Sequence, residues 1–231
     1  MTNYTGIDNL EVMREAKNYN AFLHSIIDAQ IRPHDRVVDF GAGSGTFAIP
    51  LLERGVDIIC IEPDLRLRQH LQRAKAPVVA TVDEIATASV DVVYSLNVLE
   101  HIDDDRNAVC GLAERLKDGG RLLLYVPAFP ILFSAMDRKV GHYRRYRRGP
   151  MVSLLNDEGF RVRRAVYVDS LGFALTIGYR MAGNDTGDVN QIALKVYDRL
   201  FFRLSRVLDR GLQHWIGKNL LVIAEKRGRS S

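Results

Sequence analysis

Two stretches of the chain hold residue types whose spacing can do chemistry. The first is Asp39-Phe40-Gly41-Ala42-Gly43-Ser44-Gly45-Thr46, preceded by the apolar pair Val37-Val38 and followed by an apolar run from Phe47 to Leu52. Strand, glycine turn and helix in that order let main chain approach a ligand closely, and the helix start leaves N–H groups for its polar atoms. Glu62 closes the next apolar run, Asp57-Ile58-Ile59-Cys60-Ile61. A carboxylate at the end of a second strand can accept hydrogen bonds from both hydroxyls of a ribose. The glycine spacing is G-x-G-x-G with an acid two residues ahead, which is not the G-x-G-x-x-G dinucleotide fingerprint. A tight β–α turn without a ligand is the plainer alternative, and the pairing of the turn with Glu62 weighs against it.

The second stretch is Met136-Asp137-Arg138-Lys139-Val140-Gly141-His142-Tyr143-Arg144-Arg145-Tyr146-Arg147-Arg148. Arginine suits planar, two-pronged capture of phosphate or carboxylate, which marks Arg144 and Arg145, with Tyr146, as candidate substrate-binding residues. The His142 imidazole can accept a hydroxyl proton, and Asp137 is another catalytic candidate in the same loop. Arg147 and Arg148 read as a solvated basic surface. A second acid–histidine pair, Glu100-His101, follows the run Val90–Ser95. His101 is a further catalytic candidate, and the alternative is that the pair only holds the next turn.

These residues need elements to hold them. Apolar runs at 57–61, 77–80, 90–95, 121–127, 160–168 and 219–225, with the one ending at Asp39, read as strands. Helical periodicity covers residues 8–31, where Asp8 is a candidate cap and Leu10, Met13, Ala16, Tyr19, Phe22, Leu23 and Ile26 share a face. It recurs at 65–75, from Asp103-Asp104-Asp105 to Leu116, and at 151–158 with Gly159 closing the helix. Lys117-Asp118-Gly119-Gly120 reads as a turn. Strands separated by helices argue for a parallel sheet covered on both faces, with ligands beyond the carboxyl ends of the strands. Gly41–Gly45, Glu62, Asn97 and Ala128-Phe129 all fall at such ends.

The glycine turn with Asp39, Glu62 and the run Leu96-Asn97-Val98-Leu99-Glu100-His101 resembles the S-adenosylmethionine-dependent methyltransferases of the Rossmann-like fold. The resemblance covers residues 36–126 closely and most of the rest loosely. It implies an α/β fold with a seven-stranded Rossmann-like sheet, mostly parallel, the last strand antiparallel between the fifth and sixth. Helices lie on both faces, and a helical insertion precedes the last strand. It implies one methyltransferase domain over 1–231, with helix 8–31 covering the cofactor site and Tyr19 lining it. S-adenosylmethionine is the implied cofactor and S-adenosylhomocysteine the product. The implied cofactor-binding residues are Tyr19, Asp39, Gly41, Ala42, Gly43, Glu62, Pro63, Asp83, Asn97 and Val98. An acid just after the third strand meets the adenine amine in this family. Here Thr81 takes the nearest position and the acid comes later, at Asp83. The loop 136–148 also resembles a Gly-His-Tyr-Arg-Arg-Tyr signature of a bacterial subgroup linked with glycan or lipid-linked sugar assembly. The substrate of that subgroup is unclear, and it is Arg144 and Arg145 with His142, in a loop expected above the methyl group, that point to a small, anionic acceptor methylated on oxygen.

Composition narrows the remaining choices. Apolar content of 47% and charged content of 26% are those of a globular protein, and the formal net charge is +4. Nucleic acid is not expected as a partner, because the charge is mild and no binding domain is appended. No metal is expected, since no histidine–carboxylate cluster appears in the sequence. Cys60 and Cys110 lack metal spacing and read as small apolar groups. The first residues lack a basic region followed by an apolar core, so a reducing cytoplasm is the expected compartment. Residues 169–218 form the insertion. Within it, Leu194, Tyr197, Phe201, Leu204, Leu208, Leu212 and Trp215 share one face of a helix over 191–215, opposed by Arg199, Arg203, Arg206 and Arg210. Gly183–Gly187 reads as a link before it. Packing on the sheet, a lid over the acceptor, a homodimer surface and contact with a membrane surface all fit this pattern. Rival functions are a nicotinamide-dependent oxidoreductase, a nucleic-acid methyltransferase and a cofactor-binding module without catalysis.

Overall fold

The computed structural model describes residues 16–181 and 195–228. Strands β1 (Arg36–Phe40), β2 (Asp57–Ile61), β3 (Val78–Val79), β4 (Val90–Leu96), β5 (Leu116–Pro127), β6 (Phe160–Val168) and β7 (Asn219–Lys226) form one sheet in the order β3-β2-β1-β4-β5-β7-β6. The first five pair in parallel, and β7 runs antiparallel between β5 and β6. The sheet is the one expected from the sequence.

Alternate residues of the strands feed two cores, as the two-residue period of a strand dictates. Val37 packs with Leu23 and Ile27 of α1 (Lys17–Asp28), Ala48 and Leu51 of α2 (Ala48–Glu53) and Leu71 of α3 (Leu65–Arg73). Val38 packs on the other face with Val109 and Leu112 of α4 (Asp105–Arg115) and with Met151 and Leu155 of α6 (Arg148–Asp157). A short helix, α5 (Ala135–Lys139), lies in the loop after β5.

Residues 8–15 of the N-terminal helical pattern, with Asp8, Leu10 and Met13, lie outside the described residues, as do Gly183–Gly187 and Leu194. Lys117–Gly120 is a bulge inside β5 and not a turn before it. Leu116 stands opposite Val90 and Arg121 opposite Val92, so the residues between them are extra on one side of the ladder.

Helix α7 (Ser170–Met181), a π-helical stretch (Tyr197–Phe202) and α8 (Arg203–Leu212) precede β7. The last two dock with Asp198, Phe202, Ser205 and Asp209 inward. The apolar face of the pattern, including Phe201, Leu204, Leu208 and Trp215, is exposed. Packing of that face on the sheet is therefore ruled out.

Candidate functional site

The register of β1 builds the first half of the site. Phe40 lies beside Ile61, so Gly41 leaves β1 next to Glu62. Gly41, Gly43 and Gly45 have φ of 80°, 56° and 77°, the left-handed region that side chains resist. A side chain at Gly41 would also place its Cβ 2.4 Å from Val98. The turn is sealed by Gly41 and Ala42 N–H groups donating to the Ile61 carbonyl at 2.9 and 3.1 Å.

Glu62 is only 6% exposed. Its Oε2 accepts from Gly43 N–H at 2.7 Å and its Oε1 from Asp64 N–H at 2.9 Å. Burial raises its pKa above the ordinary carboxylate value, and the two N–H donors oppose that rise. Each oxygen keeps a further lone pair for a ligand hydroxyl. Pro63 follows, exposed.

Asp39 is buried beneath the turn, because it pairs with Tyr94 across β1 and β4. Its Oδ2 accepts from the Tyr94 hydroxyl at 2.8 Å. Burial pushes its pKa to about 7, with the Tyr94 bond opposing and the Glu62 charge assisting. Asp39 thus anchors the turn from inside.

Asn97 sits exposed at the carboxyl end of β4 with φ of 54°. Its N–H donates to the Tyr125 carbonyl at 2.7 Å. Tyr19 reaches Asn97 and Tyr125 from α1, and burial pushes its hydroxyl up to about 12. The N-terminal helix therefore does cross the ends of β4 and β5. Asp83 does not join these residues. The Thr81–Glu84 capping box starts a short 3-10 turn that sends Asp83 to Arg115, 2.7 Å away. Arg115 ends α4 beside the start of β5, the sheet edge opposite the glycine turn. Asp83 thus stands apart from the other candidate cofactor residues in this structure.

The second half is the loop after β5. Ser134 caps α5, its N–H and hydroxyl both meeting Asp137 Oδ2, at 2.8 and 3.0 Å. Asp137 Oδ1 lies 2.7 Å from His142 Nδ1. Arg145 grips the same carboxylate with Nε and Nη2, both at 2.9 Å. Burial disfavours the charge on Asp137, but the His142 and Arg145 bonds outweigh it and hold the carboxyl well below its usual range. The ionised carboxylate only accepts, so His142 donates its Nδ1–H, which leaves Nε2 free of Asp137.

Nε2 lies 3.9 Å from Glu100 Oε1. Glu100 is fully buried, and neither of its oxygens has a hydrogen-bond partner among the described residues. Burial pushes its pKa to about 8, against the weaker pull of Arg145. The His101 ring stands edge-on to His142 at 4.6 Å, and burial lowers its pKa to about 4, so it is neutral. The three catalytic candidates Asp137, His142 and His101 are thus brought together, and Glu100 joins them. The carboxyl–histidine order Glu100-His101 at a strand end was the signal for it.

This grouping also corrects the argument that no histidine–carboxylate cluster forms. Glu100, His101 and His142 each offer a ligand atom within 4.8 Å of the others. Two imidazoles and one carboxylate suit a borderline divalent ion, and they suit a shared proton equally well.

The substrate-binding candidates behave differently. Arg145 is consumed by Asp137. Tyr146 is in the core, its hydroxyl donating toward the Leu99 carbonyl and Asp105 Oδ2 at 3.1 and 3.0 Å. Both brace the loop, and both share a cavity with Arg144. Arg144 pairs with Asp105 at 2.9 Å and with Asp103, yet stays partly exposed. With Arg147, Pro130, Pro150 and Met151 it lines a cavity of about 260 Å³.

Residues 10–165 match the family described as a methyltransferase domain. The chain belongs to this methyltransferase family. An uncharacterized methyltransferase of Mycobacterium tuberculosis is 32% identical over 114 residues, covering 47% of this chain and 44% of that protein. A ubiquinone biosynthesis O-methyltransferase of Idiomarina loihiensis is 30% identical over 115 residues, covering 46% and 44%. The matches thus span less than half the length of these relatives. Solved methyltransferases share the fold. A SAM-dependent methyltransferase from Archaeoglobus fulgidus aligns with a TM-score of 0.62 at 18% identity over 91% of this chain and 94% of its own. Phosphoethanolamine N-methyltransferase 2 of Haemonchus contortus, solved with S-adenosyl-L-methionine, gives 0.60 at 17% over 91% and 53%.

Proposed function

We propose that the chain transfers a methyl group from S-adenosylmethionine to an oxygen of a small-molecule acceptor. The observation that carries this reading is Glu62. Its carboxylate is fixed by two main-chain N–H groups beside a turn of left-handed glycines. That arrangement suits a vicinal diol, as a ribose offers, more than it suits a bare β–α connection. Glu62 would hold the ribose, the Gly41–Gly45 main chain the amino-acid end, and Asn97, Val98 and Tyr19 the adenosine side. The donor, when bound, supplies an already activated methyl group. The chain's own task is then to bind, orient and exclude water.

On the acceptor side, Asp137 orients His142 so that Nε2 can take a hydroxyl proton. The protonated Glu100 carboxyl and the neutral His101 ring close the site behind it. The relative named for ubiquinone biosynthesis is an O-methyltransferase, which agrees with attack by oxygen. An anionic acceptor, sugar- or lipid-linked, rests on Arg144 and Arg147 at the cavity beside α6.

The test is incubation with S-adenosylmethionine carrying a deuterated methyl group and a small-molecule extract, read by mass spectrometry. The expected result is a metabolite gaining one labelled methyl with the parent protein and not with Glu62→Ala. Label entering RNA and no small molecule would assign a nucleic-acid methyltransferase instead. Binding of NAD in calorimetry, with none of S-adenosylhomocysteine, would assign the oxidoreductase.

A further inference from the structure

The helical insertion is docked by its polar side. Asp198 accepts Asn18 N–H and Tyr19 N–H of α1, at 2.9 and 2.8 Å. Asp209 accepts Asp169 N–H and Ser170 N–H at the start of α7, at 3.0 and 2.9 Å. Ser205 Oγ accepts Leu171 N–H at 3.0 Å. These side chains satisfy the free N–H groups at the starts of two helices, and the carboxylates complement their dipoles. Phe202 adds an apolar plug between Tyr19 and Phe22.

Because the polar groups face inward, the apolar groups of the same helix face solvent. Leu200, Phe201, Leu204, Val207 and Leu208 form the exposed ridge, with Trp215 beyond the helix end. Leu200 is 62% exposed, Val207 58% and Trp215 68%. At ~100° per residue, Arg199, Arg203, Arg206 and Arg210 fall in one row along the flank of this ridge. Arg206 lies 4.0 Å from the Phe22 ring and Arg203 donates to Asn18, so these two are pinned in the row. Arg199 and Arg210 pair with no acid among the described residues and leave their charge to solvent.

We propose that this ridge and its arginine row dock the protein on an anionic lipid bilayer, with the helix lying in the plane of the headgroups. An exposed aliphatic ridge beside a row of cations, with a tryptophan at its end, matches an interface of that polarity. A second copy of this chain would meet the ridge with another row of the same charge, whereas anionic headgroups supply the opposite one. No helix among the described residues is long and apolar enough to cross a membrane, so the contact is with one leaflet. The inference goes beyond methyl transfer and stands apart from it, since a protein that transfers nothing would still bind vesicles.

Trp215 is the sole tryptophan, so its fluorescence reports the surface directly. Titration with phosphatidylglycerol–phosphatidylcholine vesicles is expected to shift the emission to the blue and to co-sediment the protein, while pure phosphatidylcholine binds at least about tenfold more weakly. Leu204→Asp removes apolar contact from an outward position and is expected to weaken binding roughly tenfold, with the melting temperature unchanged. The pair Arg199→Glu and Arg210→Glu is expected to cost at least about tenfold on anionic vesicles and to flatten the salt dependence. An emission spectrum unmoved by anionic vesicles overturns the proposal. So does equal binding to neutral vesicles. So does a parent dimer in sedimentation that Leu204→Asp converts to monomer with no vesicle binding by either, which makes the ridge a subunit interface.

Discussion

At the carboxyl end of β2 the Glu62 side chain is held by main chain. In the loop after β5 the polar side chains are held chiefly by each other. Glu62 spends one lone pair per oxygen on N–H groups and keeps the rest. Asp137 is saturated by Ser134, His142 and Arg145, and the arginine turns two of its nitrogens to that carboxylate. The first region is a receptor that the backbone prepares. The second is a clamp that presents one imidazole. Charge density alone therefore does not separate the arginine that binds Asp137 from the one that stays partly exposed.

The largest effect that could break this comparison is in the clamp. Asp137→Ala leaves Arg145 buried without its carboxylate and breaks the capping box of α5. It is expected to cost about 3–5 kcal/mol of stability in denaturant unfolding. A loss under about 1 kcal/mol would mean that the loop is an exposed surface pair after all. Next comes His142→Ala, for which turnover should fall about 10²-fold or more while S-adenosylhomocysteine affinity holds. Unchanged turnover would leave the clamp without a catalytic purpose.

In the receptor half, Gly41→Ala must accept φ of 80° and a Cβ 2.4 Å from Val98. It is expected to cost ~1–3 kcal/mol and to weaken donor binding along with stability. Equal donor affinity in this variant, by calorimetry, would show that the turn does not approach the donor.

The smallest effect is a pH dependence. Glu100 has its pKa raised to about 8, chiefly by burial. Its neutral form is the stable buried one, so its contribution is full below the ordinary carboxylate pKa, declines as pH rises, and is lost above about 8. Glu100→Gln keeps a neutral group there. Its melting temperature, compared with the parent, should gain at pH 8 and change little at pH 5. A gain of the same size at both would show that Glu100 is ionised throughout.

Much of the architecture was legible in the sequence. Seven apolar runs mark seven strands, and the glycine spacing with Glu62 marks the carboxyl edge at which the candidate site lies. What was not legible came from short-range hydrogen bonding. Ser134-Ala-Met-Asp137 and Thr81-Val-Asp-Glu84 are both capping-box patterns, present in the sequence and unread. The first turns Asp137 inward to collect Arg145, and the second turns Asp83 away from the site. The insertion was only half legible, for a different reason. Counting apolar residues finds an amphipathic helix but not its inward face. Asp198, Phe202, Ser205 and Asp209 recur at helical spacing as well, and helix starts elsewhere in the chain were waiting for those acceptors.

The central claim is that Glu62 and the glycine turn hold the donor. Calorimetry with S-adenosylhomocysteine tests it on the parent, on Glu62→Ala and on Asp83→Ala. Each hydrogen bond to the Glu62 carboxylate is worth ~1.5–3 kcal/mol. The account predicts binding by the parent, affinity at least about tenfold weaker for a folded Glu62→Ala protein, and no change for Asp83→Ala. Undiminished affinity in folded Glu62→Ala would contradict it.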